Sequence, residues 1–252
     1  MDKTLSGRVV LITGASSGIG ARFARVVAAR GAVVVIGARR VDRLEALRDE
    51  IVSAGGEALA VALDVADEKS VAAAYDAAER KFGLVNSVVA NAGINQDGRA
   101  TDLAVADFDQ VFAVNVRGVF LTAREGARRL QRAGAAESGR IVLISSITAL
   151  MQSPGLAAYS ASKAAVTHLG KVLAREWART GPNVNLISPG YIRSELAGDW
   201  FDTEGGKKQI NSWPRRRMLD DDALDATLLF LLSDASRNVT GSDFVIDDGQ
   251  SL

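Results

Sequence analysis

The sequence predicts an α/β protein built on a doubly wound parallel β-sheet, and three observations favour this fold class. Short runs rich in β-branched residues recur along the 252 residues, and amphipathic helical stretches separate them. Most of these runs are continuously apolar, as expected for strands that helices cover on both faces. Strand–helix alternation throughout the chain favours a parallel sheet, with ligand-binding loops at the carboxyl ends of the strands. The predicted strands span residues 9–12, 33–36, 58–63, 88–90, 141–144, 184–187 and 244–246.

The composition narrows the classes of function. The chain has no cysteine, which excludes disulfides, zinc-thiolate sites and thiol nucleophiles. His168 is the single histidine, so we expect no metal site and no Ser-His-Asp triad, and we assign His168 a packing or subunit-interface role. The formal net charge is zero, which provides no strong field for attracting nucleic acid or an anionic membrane. Residues 1–6 do not resemble a signal peptide and no apolar run could span a membrane, so we expect a cytoplasmic protein.

One stretch, residues 191–218, interrupts the strand–helix alternation after the sixth strand. It contains several glycines and a proline together with Trp200, Phe201 and Trp213. Loops of this length in compact domains are often lids or binding loops. We therefore predict one domain over residues 1–252 with a substrate lid at 191–218, whose mobile part is 197–213. The alternative is a fixed helix whose aromatic side chains fill the core or a subunit interface.

A glycine-rich turn joins the first strand to the helix pattern that starts at Ala21. Its glycines allow a tight bend and a close approach of the backbone to a ligand. The following helix offers free N–H groups and the positive end of its dipole to a pyrophosphate. After the first buried strand of a β-α-β series, this turn predicts a dinucleotide site. The residues assigned to it are Gly14, Ser16, Ser17, Gly18, Ile19 and Gly20.

The end of the second strand predicts which dinucleotide binds. An NAD site carries a carboxylate there for the ribose hydroxyls, whereas an NADP site carries arginine for the 2′-phosphate. The expected acid position is Ala38, and Arg39 and Arg40 follow it, so we predict NADP(H); a solvated basic turn is the alternative. At the end of the third strand, Asp64 either accepts a hydrogen bond from the adenine amino group or caps the next helix. We place Asp64 and Val65 in the cofactor site.

Tyr159 and Lys163 are four residues apart, which places them on one face of a helix. A lysine ammonium beside a phenol favours the phenolate, so we expect the pKa of Tyr159 to lie below its ordinary value. The phenol could then exchange a proton near neutral pH, and a nearby serine hydroxyl could bond the substrate oxygen. Such a pair alone is common on protein surfaces, but beside a dinucleotide turn it indicates acid–base chemistry.

These motifs together resemble the short-chain dehydrogenase/reductase family, in order and at the family's spacing over nearly the whole chain. The resemblance implies a Rossmann-like domain with a seven-stranded sheet, assembled as a homotetramer or homodimer. The matching residues are 13–20, Asn91, Ala92, Gly93, Asn115, Ser146, Tyr159, Lys163, Pro189 and Gly190.

By the same resemblance, Tyr159 is the acid/base and Ser146 orients the substrate. Lys163 lowers the pKa of the tyrosine and holds the nicotinamide ribose, and Asn115 holds a water in the proton relay. The implied cofactor contacts on the other loops are Asn91, Ala92, Gly93, Pro189, Gly190, Ile192 and Ser194, where Ser194 replaces the commoner threonine. Asp247-Asp248-Gly249 departs from the family's usual Asp-Gly-Gly, which implies an altered local turn.

The predicted function is hydride transfer between NADP(H) and a ketone or secondary alcohol, a small-molecule substrate. The aromatic residues of 191–218 suggest an apolar lid and favour this substrate class over the alternative, a 3-oxoacyl thioester of an acyl carrier or coenzyme A. A remote alternative is a catalytically silent, cofactor-binding regulator. Arg215, Arg216 and Arg217 could meet an anionic substrate tail, although such a run is more often a solvated loop.

Overall fold

The protein folds around one seven-stranded, all-parallel sheet, seen in a computed structural model that describes residues 4–196 and 198–252. The strand order is β3-β2-β1-β4-β5-β6-β7, so the direction of winding reverses between β1 and β4. The predicted strands are confirmed, with ends that differ by at most two residues. They are β1 Val9–Thr13, β2 Val33–Ala38, β3 Glu57–Ala62, β4 Ser87–Ala90, β5 Arg140–Ile144, β6 Asn183–Pro189 and β7 Asp243–Ile246.

Helices connect the strands and cover both faces of the sheet. They are α1 Gly18–Ala29, α2 Val41–Ser53, α3 Glu68–Phe82, α4 Val105–Phe112, α5 Val119–Arg132, α6 Ala157–Trp177, α7 Glu204–Ser212 and α8 Asp225–Leu232. A π-helical turn, Ala113–Gly118, joins α4 to α5. Within the described parts of the chain, no helix is long and apolar enough to cross a membrane.

The hydrophobic core has two layers, one on each face of the sheet. Alternate residues of a strand enter opposite layers, since successive side chains of a strand point to opposite faces. On β1, Ile12 packs with Phe23 of α1 and Leu228 of α8, whereas its neighbour Leu11 packs with Tyr75 of α3 and Val166 of α6. The doubly wound architecture is therefore confirmed.

Two local helix starts differ from the sequence-based expectations. α1 begins at Gly18 rather than at Ala21, so the glycines form its first turn as well as the bend before it. The helix after β3 is capped by Asp67, whose side chain accepts a hydrogen bond from the Lys69 amide, so the capping role considered for Asp64 is wrong. Asp64 instead accepts from the Ala66 amide at 3.0 Å and tightens the turn before the helix.

Candidate active site

A cavity of about 1030 Å³ opens along the carboxyl ends of the strands, around the point where the winding reverses. In parallel sheets this crevice is the usual ligand site. Every predicted site residue except Asn115 contributes to its wall. The predicted residues that the structure brings together there are Gly14, Ser16, Ser17, Gly18, Ile19, Gly20, Arg39, Arg40, Asp64, Val65, Asn91, Ala92, Gly93, Ser146, Tyr159, Lys163, Pro189, Gly190, Ile192 and Ser194.

The turn between β1 and α1 is a cradle that only glycine can form. A Cβ atom on Gly20 would lie 2.5 Å from the Gly14 carbonyl oxygen and 2.5 Å from the Asn91 side-chain nitrogen. Gly14 adopts a φ of 70°, which also favours glycine. Thr13 fastens the turn to the loop after β4, because its hydroxyl accepts hydrogen bonds from the Asn91 and Ala92 amides, both at 3.1 Å. The bare backbone and the start of α1 therefore face the cavity, as a pyrophosphate requires.

The basic residues after β2 lie at one margin of the cavity. Arg39 is exposed at the end of β2, next to the buried Ala38. Arg40 reaches back to the glycine turn and donates hydrogen bonds to the Ser17 hydroxyl at 2.7 Å and the Ser16 hydroxyl at 3.1 Å. A planar guanidinium beside two hydroxyl groups and a helix start is well suited to a phosphate group.

Sequence reasoning missed Glu195, which lines the cavity beside these arginines. Arg40 donates to one of its carboxylate oxygens at 2.9 Å, and Arg43 donates to the other at 2.5 Å. Hydrogen bonds from Arg40 and Arg43 lower the pKa of Glu195 to about 2, so it stays ionised. No short motif could have found this contact, because Glu195 follows Arg40 by 155 positions and meets it through the fold.

α6 places Tyr159 and Lys163 on one face, as predicted. The Lys163 ammonium lies 5.5 Å from the centre of the Tyr159 ring and donates a hydrogen bond to the Ile144 carbonyl at 2.9 Å. Ser146 comes from the loop after β5, and its hydroxyl accepts from the Thr148 amide at 3.1 Å and the Thr148 hydroxyl at 3.0 Å. The loop after β5 and helix α6 thereby bring a serine, a phenol and an ammonium to one cavity wall.

The acid–base properties of this wall correct one expectation. Burial raises the pKa of Tyr159 to about 12, and a hydrogen bond with Ser146 only partly opposes this effect. Burial also lowers the pKa of Lys163 to about 8. The prediction that Lys163 brings the tyrosine pKa below its ordinary value is wrong for this structure. The reason is that loss of hydration destabilises the phenolate more than the hydrogen bond with Ser146 stabilises it.

Asn115 lies in the π-helical turn behind the cavity wall and is fully buried. Its side-chain amide donates to the Ile94 carbonyl at 2.9 Å and to the Ser162 hydroxyl at 3.0 Å, and its oxygen accepts from the Ile94 amide at 2.9 Å. Ser162 in turn donates to the Tyr159 carbonyl at 2.6 Å. Asn115 therefore ties the loop after β4 to the helix that carries Tyr159 and Lys163.

The chain after β6 returns over the glycine turn, where Ser194 approaches Gly18. Its start is held by Gln250, which sequence reasoning also missed. The buried Gln250 side chain accepts a hydrogen bond from the Tyr191 amide at 2.7 Å and donates to the Arg217 carbonyl at 3.2 Å. The C-terminal turn therefore holds both ends of the 191–218 segment.

The three aromatic residues predicted to form a lid have different environments. Phe201 and Trp213 are buried and pack with Tyr191, on which the Trp213 ring stacks at 5.3 Å. Trp213 does not line the cavity, and its assignment to an apolar substrate lid stays a prediction. Trp200 is 51% exposed and does line it. The mobility of the segment stays a prediction, and position 197, where its mobile part was placed to start, lies outside the described residues.

The altered C-terminal turn keeps a glycine-like backbone. Asp248 has a φ of 52°, in the left-handed region that favours glycine. Its carboxylate accepts from Arg215 at 3.1 Å and from Arg217 at 2.7 Å. Two of the three consecutive arginines are therefore paired within the protein, which weakens the alternative that they meet an anionic substrate tail. His168 is exposed on α6.

Comparisons with known proteins agree with this geometry. The profile of a family described as short chain dehydrogenase matches residues 8–205. The chain is 36% identical to D-threitol dehydrogenase of Mycolicibacterium smegmatis, covering 100% of this chain and 95% of that protein. It is 37% identical to cis-4-hydroxycyclohexanecarboxylate dehydrogenase of Sinomonas cyclohexanicum, covering 99% and 98%.

Among solved structures, a gluconate 5-dehydrogenase from Burkholderia cenocepacia J2315 in complex with NADP and tartrate superimposes with a TM-score of 0.93. It is 33% identical in sequence, and the match covers 99% of this chain and 98% of that one. The matches extend over the glycine turn, the Tyr159–Lys163 helix and the sheet that joins them. The chain therefore belongs to the short-chain dehydrogenase/reductase family.

Proposed function

We propose that the protein is an NADP(H)-dependent oxidoreductase that transfers a hydride between nicotinamide and a ketone or secondary alcohol. The observation that carries this proposal is the convergence of Ser146, Tyr159 and Lys163 on the same cavity as the glycine cradle. A cavity of about 1030 Å³ has room for a dinucleotide and a small substrate together.

The residues present fit a dinucleotide. The cradle at Gly14 and Gly20 leaves no space for a side chain, which suits close contact between backbone and pyrophosphate. Arg39 and Arg40 provide guanidinium groups for a 2′-phosphate, and Ala38 leaves no carboxylate to repel it. When bound, the nicotinamide would supply or accept the hydride.

In ketone reduction, Tyr159 donates a proton to the substrate oxygen as that oxygen gains charge. Its raised pKa keeps the phenol protonated at neutral pH, which suits a proton donor. Ser146 positions the same oxygen by a hydrogen bond. Lys163 would hold the nicotinamide ribose and, with Asn115, return a proton to the tyrosine. In alcohol oxidation Tyr159 must first lose its proton. Positive charge close to the phenol stabilises the phenolate and therefore favours oxidation.

A secondary alcohol that carries further polar groups is the substrate class that we favour. The cavity wall also includes Met151 and Trp200 and the amide side chains of Asn95, Gln152 and Gln209. The relatives named above act on a polyol, a cyclic hydroxy acid and gluconate, which supports this class over a long acyl thioester.

We also propose a homotetramer or homodimer, in keeping with the exposed apolar side chains Val105 and Phe108 on α4.

A substrate panel tests the proposal. Polyols, cyclic secondary alcohols and hydroxy acids would be supplied with NADP⁺, and the matching ketones and a 3-oxoacyl thioester with NADPH, while the absorbance of the reduced nicotinamide is followed. We expect at least one hydroxylated secondary alcohol to be oxidised with a higher kcat/KM than any thioester is reduced. A higher kcat/KM for the thioester would contradict the proposed substrate class. Cofactor binding without turnover of any compound would contradict the proposed hydride transfer.

A further inference from the structure

The carboxylate of Glu195 occupies a site that is built for an anion. Arg40 and Arg43 each donate to a different oxygen of Glu195, at 2.9 Å and 2.5 Å. The same Arg40 guanidinium also donates to the hydroxyl groups of Ser16 and Ser17 in the glycine turn. The donor set is therefore two guanidinium groups beside two hydroxyls and the start of α1, a combination that suits a phosphate equally well.

Glu195 reaches this site from a different part of the fold. It lies on the chain after β6, just past Ser194, which approaches Gly18 of the glycine turn. The ion pairs therefore connect the start of the 191–218 segment with the cofactor end of the cavity. Glu195 is 54% exposed, and Arg40 and Arg43 are 44% and 46% exposed, so water and salt weaken the contact and a stronger anion can replace it.

We propose that Glu195 competes with the 2′-phosphate of the cofactor for Arg40, and so limits the preference for NADP(H) over NAD(H). This inference rests on the proposed dinucleotide function, and it adds a residue that sets cofactor specificity. A 2′-phosphate at Arg40 would stand beside the carboxylate and be repelled by it, so Glu195 has to move away from the arginines. NAD(H) has no phosphate at that position and leaves the ion pairs intact.

Glu195 stays ionised over the usual assay range, since its pKa lies at about 2. The competition varies with ionic strength, since all three side chains are partly exposed. A second consequence concerns the segment itself: binding of a 2′-phosphate frees its start from the arginines, whereas binding of NAD(H) does not.

Equilibrium binding to Glu195→Gln tests the proposal without measuring turnover. The Kd values of NADP⁺, NAD⁺ and 2′,5′-ADP would be measured by calorimetry for the wild type and the variant at low and high salt. Glu204→Gln is the matched control, because Glu204 lies in the same segment and pairs with Lys207 away from the arginines. We expect Glu195→Gln to bind NADP⁺ and 2′,5′-ADP about three- to tenfold more tightly at low salt, the range of one or two exposed ion pairs.

The Kd of NAD⁺ should stay within about twofold of the wild-type value, and Glu204→Gln should resemble the wild type for all three ligands. Unchanged or weaker binding of 2′,5′-ADP by Glu195→Gln would overturn the proposal, as would equal tightening of NAD⁺ and NADP⁺. A failure of both the wild type and Glu195→Gln to bind 2′,5′-ADP would also overturn the proposal. A wild type that binds NAD⁺ more tightly than NADP⁺ would instead contradict the proposed cofactor preference, while the change from wild type to variant would still report the competition.

Discussion

Replacing Trp213 with alanine tests whether the aromatic side chains after β6 stabilise the fold or close over substrate. Trp213 is 5% exposed, its ring stacks on Tyr191 at 5.3 Å, and it tilts against Phe201 at 5.9 Å. Truncation of a buried tryptophan to alanine costs about 3–5 kcal/mol. We therefore expect Trp213→Ala to lower the free energy of unfolding by at least about 3 kcal/mol, which lowers Tm by about 6–12 °C in a chain of this size.

Trp200→Ala is the matched control, since it removes the same side chain from the same segment. Trp200 is half exposed, lines the cavity and donates a hydrogen bond to the Gln209 side chain at 2.7 Å. Its truncation should cost no more than about 1 kcal/mol, as is usual for exposed positions. Because it removes part of the cavity wall, it should change KM more than stability.

Thermal and urea unfolding, followed by far-ultraviolet circular dichroism, would be compared with KM and kcat on the same preparations. We expect opposite patterns: a large loss of stability for Trp213→Ala and a change in KM for Trp200→Ala. A Trp213→Ala variant that kept the wild-type Tm, while its KM rose more than that of Trp200→Ala, would refute the structural role of Trp213. Trp213 would then contact the substrate, as a lid residue should.

Three further predictions concern the cofactor and the proton. Gly20→Ala should weaken NADP⁺ binding at least about tenfold, because the new Cβ would lie 2.5 Å from the Asn91 side-chain nitrogen. The circular dichroism spectrum should stay that of the wild type. An unchanged Kd from calorimetry would contradict the role of the glycine turn in binding the cofactor. The wild type should have a higher kcat/KM with NADPH than with NADH, and Ala38→Asp combined with Arg39→Leu should reverse this order. Equal kcat/KM values for the two cofactors in the wild type would contradict the proposed preference for NADP(H). Between about pH 7 and 9, kcat for alcohol oxidation should rise, because Tyr159, whose pKa burial raises to about 12, must lose a proton. Oxidation that slows as pH rises would argue against the role of Tyr159 as the proton acceptor.

Much of the architecture could be predicted because its causes are local. Strands covered on both faces are apolar throughout, so β1 and β5 stand out in the sequence with nearly their observed bounds. The glycine turn could be recognised because only glycine fits a cradle in which a Cβ on Gly20 would lie 2.5 Å from the Gly14 carbonyl oxygen. The helical spacing of Tyr159 and Lys163 likewise places them on one face of α6.

What could not be predicted depends on contacts between distant residues or on burial. Glu195 meets Arg40 across 155 positions, and Gln250 meets Tyr191 across 59. The aromatic residues after β6 have the composition of an apolar lid, yet Trp213 is buried against its neighbours, which composition alone does not reveal. The expected pKa of Tyr159 followed from the nearby lysine, whereas burial raises this pKa through loss of hydration.

The turnover of Tyr159→Phe is the measurement that tests the central claim most directly. The substitution removes the hydroxyl that should transfer the proton and leaves the volume of the ring nearly unchanged. Transfer of a proton by a positioned side chain contributes about 10²- to 10⁴-fold to the rate, so kcat should fall by that factor while the Kd of NADPH stays at the wild-type value. A variant that keeps more than about a tenth of the wild-type kcat would contradict the role of Tyr159 as the acid.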